Sequence, residues 1–323
     1  MRDSDNSPPS SSQFAVRHSP LDIRQSTFDN RQSSVDIIEC PRDALQGLPQ
    51  FIPTQTKIKY LLSLIEAGFT RIDFGSFVSP KVVPQMRDTR EVFEAIQPQL
   101  KESYLIVIVP NLKGLEMAIN VGGIHCAGFP LSVSETFQQR NVRQSFEQAW
   151  RVVDELVERS CNAGMDLVIY LSMAFGNPYG DPWSPERVLS YAEKLISKGV
   201  RQVSFADTVG KAKPQDVYEV FSTCRKQNPK TDLGVHLHGR PDNWEEIAMA
   251  AYDAGCRRFD GALLGIGGCP FAEDELVGNI PTERLVQEFN QMGIETGLKV
   301  ESLREPLTRA RQILREYGAR QPL

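Results

Sequence analysis

Residues 199–238 read GVRQVSFADTVGKAKPQDVYEVFSTCRKQNPKTDLGVHLH. Two runs within it, Gln202–Ala206 and Leu233–Leu237, are short, apolar and partly β-branched, as expected of strands in a parallel sheet covered on both faces. Between them Lys213-Pro214 opens a helical pattern that continues to residue 227. Proline suits a first helical turn, because its missing N–H would have no partner there in any case. The stretch is one strand–helix–strand unit, and the unit repeats in both directions.

The other candidate strands are Val35–Ile38, Arg71–Phe74, Tyr104–Val109, Gly123–Ala127, Leu167–Leu171 and Arg258–Ala262. Helical patterns lie at 54–67, 88–97, 112–120, 142–163, 185–198, 214–227, 243–254 and 282–292, with a last one at 300–317. Gly68, Gly164, Gly199 and Gly255 fit left-handed caps that end a helix before the next strand. Eight strands, each followed by a helix over roughly 260 residues, match a (β/α)8 barrel. An open doubly wound sheet usually carries a glycine-rich phosphate loop after its first strand, and Glu39-Cys40-Pro41-Arg42-Asp43 is not one. The expected fold is therefore α/β: a TIM barrel over residues 35–323 with extra C-terminal helices. Residues 1–34 hold nine serines and three prolines without hydrophobic period. They are expected to be a disordered tail, or an arm on a partner subunit.

Composition narrows the function classes. The chain has 323 residues, 41% of them apolar and 24% charged, with a net charge of −5. That balance lacks the dense basic surface a nucleic-acid binder needs. The longest strongly apolar stretch is Leu105–Val109, far short of the ~18 residues of a membrane helix. Six cysteines occur with no Cys-x-x-Cys pair, and they are expected to be free thiols in reducing cytosol. A mitochondrial address is the weaker alternative. The tail's four arginines are matched by Asp3, Asp5, Asp22 and Asp29, whereas a transit peptide is poor in acids.

Barrel enzymes work at the C-terminal ends of their strands. Polar groups recur there: Arg42 and Asp43 after strand one, Asp73 near the end of strand two, Asn111 after strand three, and Asp207 at the end of strand six. His236 and His238 end strand seven. Two of the chain's four histidines thus lie i, i+2 on one strand, where their side chains share a face and reach one ion. A hydrogen-bonded structural pair is the plain alternative. With Asp43 and Asp207 at neighbouring strand ends, the metal reading is stronger. Two imidazoles plus oxygen ligands suit Mn²⁺, Mg²⁺ or Zn²⁺. Arg42 could stabilise a developing oxyanion. Cys269 lies in the glycine-rich run Gly265–Pro270, which could carry a catalytic group onto bound substrate.

These residues resemble one family. Pro41-Arg42-Asp43-Ala44-Leu45-Gln46, Ser76–Lys81 with Val83–Met86, Asn111–Gly114, Asp207–Gly210, His236-x-His238 and Gly265-x-Gly267-Gly268-Cys269-Pro270 are similar to the signatures of 3-hydroxy-3-methylglutaryl-CoA lyases, in the same order over residues 35–300. Related synthases usually carry Gly-Glu-Arg where this chain has Gly-Cys-Pro. The resemblance implies a metal-dependent barrel, commonly a homodimer, that cleaves a 3-hydroxyacyl-CoA by a retro-aldol reaction. It implies Asp43, His236, His238 and Asn279 as ligands of Mg²⁺ or Mn²⁺, with Zn²⁺ less favoured. It also implies Arg42 as stabiliser of the acetyl-CoA enolate, Cys269 as a proton-transfer group, and Asp73 and Asp207 as completing the polar site. Asn111 and Arg240 are candidate substrate contacts.

The chain departs from that pattern at several positions. Asp73 stands where the family usually has Glu, and Gly239-Arg240 where it has Asp-Thr. Asn177 replaces a usual cysteine, and the stretch between Cys269 and Asn279 carries Glu273, Asp274 and Glu275. The expected reaction converts 3-hydroxy-3-methylglutaryl-CoA to acetyl-CoA and acetoacetate. Two alternatives are the same chemistry on another hydroxy acid or acyl-CoA, and a barrel serving without catalysis as an assembly subunit.

Overall fold

In the computed structural model, which describes residues 34–267 and 277–318, eight parallel strands close a barrel in sequence order. They are β1 (Asp36–Glu39), β2 (Arg71–Ser76), β3 (Tyr104–Ile108), β4 (Cys126–Ser132), β5 (Asp166–Ser172), β6 (Gln202–Asp207), β7 (Asp232–Leu237) and β8 (Arg258–Gly261). β8 returns to pair with β1, Asp36 opposite Arg258 and Glu39 opposite Gly261. The helices between them are α1 (Pro41–Gln46), α2 (Thr54–Ala67), α3 (Thr89–Ile96), α4 (Leu112–Val121), α5 (Glu135–Val142), α6 (Phe146–Asn162), α7 (Pro185–Ser197), α8 (Pro214–Gln227) and α9 (Trp244–Asp253). α10 (Thr282–Gln291) and α11 (Arg304–Tyr317) follow β8. The expectation for the N-terminal extension falls on residues that, Ser34 apart, lie outside the described part, as do Cys269 and residues 273–275.

The helix ends follow local chemistry. α2 stops at Gly68, whose φ of 99° is open to glycine at no steric cost. α7 begins at Ser184-Pro185, with the Ser184 hydroxyl accepting from the Arg187 N–H. The helix expected over 142–163 begins later, as α6 at Phe146, and α5 before it was not expected. Arg143 turns left-handed at φ 55° and Ser145 caps α6 reciprocally with Gln148, so α5 ends before α6 begins. The fourth strand, expected at Gly123–Ala127, is shifted to Cys126–Ser132. Gly122 and Gly123 take positive φ and form the turn, while Pro130, a residue that argues against a central strand, lies within β4.

Alternation along the strands divides the core. Ile38, Cys40, Ile106, Ile108, Cys126, Val168 and Tyr170 form one cluster inside the barrel. The opposite faces, for example Ile37, Ile72, Leu105 and Val107, join the larger layer under the helices. Near the strand starts lies a charged group: Arg71 faces Asp36 at 3.8 Å and Asp232 at 3.5 Å, and Arg258 donates to Asp232 at 3.1 Å. Gly234 leaves room for this, since a Cβ there would stand 2.6 Å from Arg258 Cζ. The inner apolar cluster thus has one charged layer near the strand starts and another, described next, at the strand ends.

Candidate active site

The chain leaves β1 through buried Cys40 and turns at once into α1, where Pro41 supplies a ready-made first turn. The sequence reading has Arg42 and Asp43 on the strand's run-out. The structure puts them on this six-residue helix, with both side chains buried toward the barrel axis. Asp73 points inward from β2 and is wholly buried. His236 and His238 come from β7 and the residue just past it, while Asn279 arrives on the returning chain and pairs with His238 in an isolated antiparallel bridge.

Hydrogen bonds fix these groups to one another. Arg42 Nε donates to both Asp73 oxygens at 3.2 and 3.0 Å, and its terminal nitrogens reach Asp73 Oδ2 at 2.5 Å and Asp43 Oδ1 at 2.9 Å. Gln46 Nε2 donates to the same Asp43 oxygen at 2.9 Å. Asn279 Nδ2 donates to Asp43 Oδ2 at 2.8 Å and to the Ile266 carbonyl at 2.9 Å. The guanidinium therefore lies between two carboxylates in a planar, partly bidentate arrangement that only arginine can make.

The imidazoles are oriented from behind. His238 Nδ1 is 2.7 Å from the Val277 carbonyl, which can only accept, so Nδ1 carries the proton. His236 Nδ1 is 3.1 Å from Asp260 Oδ2, and the carboxylate holds a proton there in the same way. The two Nε2 atoms then face each other at 3.3 Å, and His238 Nε2 stands 4.0 Å from Asp43 Oδ2. Burial, with His236 beside it, pushes His238 down to about 4, so it is neutral at pH 7. Burial works against a charge on His236, but its bond to Asp260 more than offsets this and raises its pKa. Burial likewise opposes ionisation of Asp43, yet Arg42 and the imidazoles hold it well below the usual carboxylate range. Asp73 is lifted by burial, against the pull of Arg42, to about 6.

This donor set fits a divalent ion. Ligand atoms of Asp43, His236 and His238 all lie within 4.8 Å of one another, and all three residues are buried. Asn279 spends its amide nitrogen on Asp43 and Ile266, which leaves its Oδ1 buried without a partner among the described residues. An ionised carboxylate, two imidazole nitrogens and an amide oxygen suit Mg²⁺, Mn²⁺ or Zn²⁺. Gly267 makes room for the set: at φ 120°, a Cβ there would stand 2.4 Å from Asn279 Nδ2 and 3.3 Å from Asp43 Oδ2. Above the site opens a cleft of about 810 Å³, its open mouth included, lined by Arg42, Asp43, Ser76, Tyr170, His236 and His238 among others.

The comparisons with known proteins bear directly on this cluster. The model of the HMGL-like family matches residues 35–308. The chain belongs to the HMGL-like family. Among its relatives, the mitochondrial hydroxymethylglutaryl-CoA lyase of Bos taurus is 35% identical over 272 residues, covering 84% of this chain and 83% of that protein. A hydroxymethylglutaryl-CoA lyase of Bacillus subtilis is 34% identical over 263 residues, 81% of this chain and 87% of that one. A solved HMG-CoA lyase of Acinetobacter baumannii, in complex with coenzyme A and 3-methylmalate, superposes with a TM-score of 0.81 at 32% identity, covering 90% of this chain and 98% of that one. Membership of the HMGL-like family makes the chain an oxo-acid lyase. The relatives include mitochondrial and cytoplasmic forms. No helix among the described residues of this member is long and apolar enough to cross a membrane.

Within this HMGL-like barrel the remaining expected site residues are placed differently. Asp207 is buried at the end of β6 but turned into its own loop, accepting the N–H groups of Val209 at 3.2 Å, Lys211 at 3.1 Å and Ala212 at 2.7 Å. Asn111 is the N-cap of α4, with Oδ1 accepting from the Gly114 N–H at 3.0 Å, and it does not line the cleft. Arg240 is exposed beyond β7. Cys269 lies outside the described residues. Two groups in the site escaped the sequence reading. Asp260, which orients His236, sits inside what reads as an ordinary strand; the signal was its offset from the strand end, one residue before Gly261. Tyr170 lines the cleft edge-on to His236, ring centroids 5.7 Å apart, with its hydroxyl buried and unpartnered among the described residues. Gly128 opposite leaves space for that ring, since a Cβ would stand 2.9 Å from Tyr170 Cε2.

Proposed function

We propose that this chain cleaves 3-hydroxy-3-methylglutaryl-CoA to acetyl-CoA and acetoacetate by a retro-aldol reaction that depends on a divalent metal ion. The observation that carries the reading is the convergence of Asp43, His236 and His238 beside an arginine, Arg42, that opens onto the same cleft. Asp43, His236, His238 and Asn279 would hold the ion. When bound, it supplies Lewis-acid polarisation of the substrate's hydroxyl and carboxylate oxygens. Mg²⁺ or Mn²⁺ is proposed ahead of Zn²⁺, because the substrate's hydroxyl and carboxylate would add oxygens to the two that the chain supplies.

The chain's own residues divide the rest of the work. Breaking the carbon–carbon bond leaves an electron pair on the acetyl-CoA fragment, delocalised onto the thioester oxygen. Arg42 puts a permanent positive charge where that enolate oxygen develops. Asp73, ionised at neutral pH, holds the guanidinium in register and keeps its plane fixed. The 3-hydroxyl proton must leave, and the enolate carbon must gain one; Cys269 is the proposed donor in the second step. Tyr170 and Ser76 line the cleft and are placed to orient the acyl chain. The bonds Asp207 makes favour an anchoring role for it, holding the loop after β6. Assembly as a homodimer, a location in reducing cytosol and a tail formed by residues 1–34 belong to the same proposal. Five described cysteines without disulfides accord with such a compartment.

A second reading keeps the chemistry and changes the acid. It is favoured by the rim after His238. There Gly239 packs under Trp244, so that a Cβ would stand 2.8 Å from Trp244 Cβ, and Arg240 is exposed beside it. Acetyl-CoA release from 3-hydroxy-3-methylglutaryl-CoA, measured with Mg²⁺ or Mn²⁺ and then with chelator, tests both. Chelator-sensitive turnover supports the first reading. No turnover by folded, metal-loaded protein, with turnover of another 3-hydroxyacyl-CoA, supports the second.

A further inference from the structure

His236 belongs to two clusters. Its Nε2 edge faces His238 and Asp43, and its Nδ1 edge faces Asp260. Cys40 lies on that inner side. Its thiol is part of the cluster inside the barrel, and among the described residues its one hydrogen bond is a long one of 3.7 Å to the Ile38 carbonyl. Cys40, His236 and Asp260 are all buried, and each offers a ligand atom within 4.8 Å of the others. Asp260 gives one oxygen to His236, but its Oδ1 is buried with no hydrogen-bond partner among the described residues. A sulfur, an imidazole nitrogen and a carboxylate with one unsatisfied oxygen thus come together on the side of His236 away from His238 and Asp43.

We infer that Cys40, His236 and Asp260 form an inner site for a thiophilic divalent ion such as Zn²⁺ or Cd²⁺, and that its occupancy competes with the outer ion. The two donor sets differ in kind. The outer one combines two nitrogens with two oxygens, whereas the inner one has a sulfur that Mg²⁺ and Mn²⁺ do not favour and that Zn²⁺ and Cd²⁺ do. Binding inside displaces the thiol proton, which leaves to solvent, and forms a sulfur–metal bond with no change of oxidation state. Competition follows from the ring itself. A neutral imidazole has one lone pair, so when Nδ1 holds the inner ion the ring proton sits on Nε2 and points at His238. The outer set then loses one of its two nitrogens.

The competition rests on the reading of His236 as an outer ligand; the inner site does not. The test uses the full-length chain, stripped of metal by chelator and titrated with Cd²⁺ alone. An ultraviolet thiolate-to-cadmium charge-transfer band saturating at one ion per chain is expected. The band should persist in Cys161→Ser and Cys269→Ser and vanish in both Cys40→Ser and Cys40→Ala. Asp260→Asn should weaken Cd²⁺ binding about 10-fold or more. In a second measurement, the spectrum of free Mn²⁺ reports its release. Cd²⁺ should expel Mn²⁺ from the wild type, while Cys40→Ser retains Mn²⁺ affinity and resists Cd²⁺. A band that survives in folded Cys40→Ser, or that is lost instead in Cys269→Ser, overturns the inference. So does equal expulsion of Mn²⁺ from wild type and Cys40→Ser. A Cys40-dependent band in a protein that binds no Mn²⁺ would sustain the inner site and sink the outer one.

Discussion

Replacing Gly267 by alanine should damage the proposed metal centre without touching any of its ligands. The added methyl would stand 2.4 Å from Asn279 Nδ2, whereas ordinary contact begins near 3.4 Å, so the amide must retreat by about 1 Å. That movement breaks the amide's bonds to Asp43 Oδ2 and the Ile266 carbonyl, now 2.8 and 2.9 Å long. A buried hydrogen bond to a charged group contributes about 1.5–3 kcal/mol and a neutral one about 1 kcal/mol. Alanine at φ 120° adds backbone strain of about 1–3 kcal/mol. The strain and part of the bond loss fall on folding. The displaced Asn279 oxygen and the unsupported Asp43 carboxylate fall on metal affinity, where loss of a supporting contact typically costs 10–100-fold. Mn²⁺ affinity of Gly267→Ala should therefore drop by roughly that factor. Titration calorimetry of metal-free protein would measure the drop, and a thermal melt would show that the barrel persists. Wild-type Mn²⁺ affinity in a folded Gly267→Ala chain would refute the account of Asn279 as a ligand held in place by the absent side chain.

Other expectations are independent of that one. Arg42→Lys should lower kcat by about 10²–10³, since a lysine cannot span Asp43 and Asp73 and still face an enolate; steady-state kinetics with KM little changed would bear this out. Asp207→Asn should behave as a stability variant, costing about 2–4 kcal/mol by urea unfolding, because an amide cannot accept three backbone N–H groups as a carboxylate does. A proportionate loss of kcat in folded Asp207→Asn would contradict the anchoring role. Glu39, buried between the Leu263 N–H and Thr282, has its pKa raised by burial from 4.5 to about 8. Between those values the folded chain holds a proton that the unfolded chain has lost, so stability falls as pH rises. The fall should be roughly 3 kcal/mol from pH 6 to 9 and should be missing in Glu39→Gln, as read from urea midpoints at the two pH values.

Much of the fold was legible because parallel strands buried on both faces leave uniform apolar runs, and helices leave periodic ones. Seven of the eight strands and most helices sit within a residue or two of their expected positions. The fourth strand slipped because Pro130 obscured it, and α1 was missed because six residues are too few to show a period. The chemistry was legible where it lies near strand ends: Asp43, Asp73 and the two histidines converge as the barrel arithmetic implies.

Direction of side chains was a different matter. Asp73 and Asp207 both stand in strands two and six as lone carboxylates near the C-terminal end, and nothing in the chain's order distinguishes them. Only the closed barrel turns one onto Arg42 and the other onto the amides of its own loop. The same holds for Asp260 and Cys40, 220 residues apart in order yet neighbours across the β1–β8 seam. The sequence by itself determined which elements form and which strand ends carry polar residues, because both follow from local period and capping. Tertiary structure alone decided which of those side chains share an ion, a proton or a hydrogen bond. Those relations depend on where eight strands close, and closure is a property of the whole sheet.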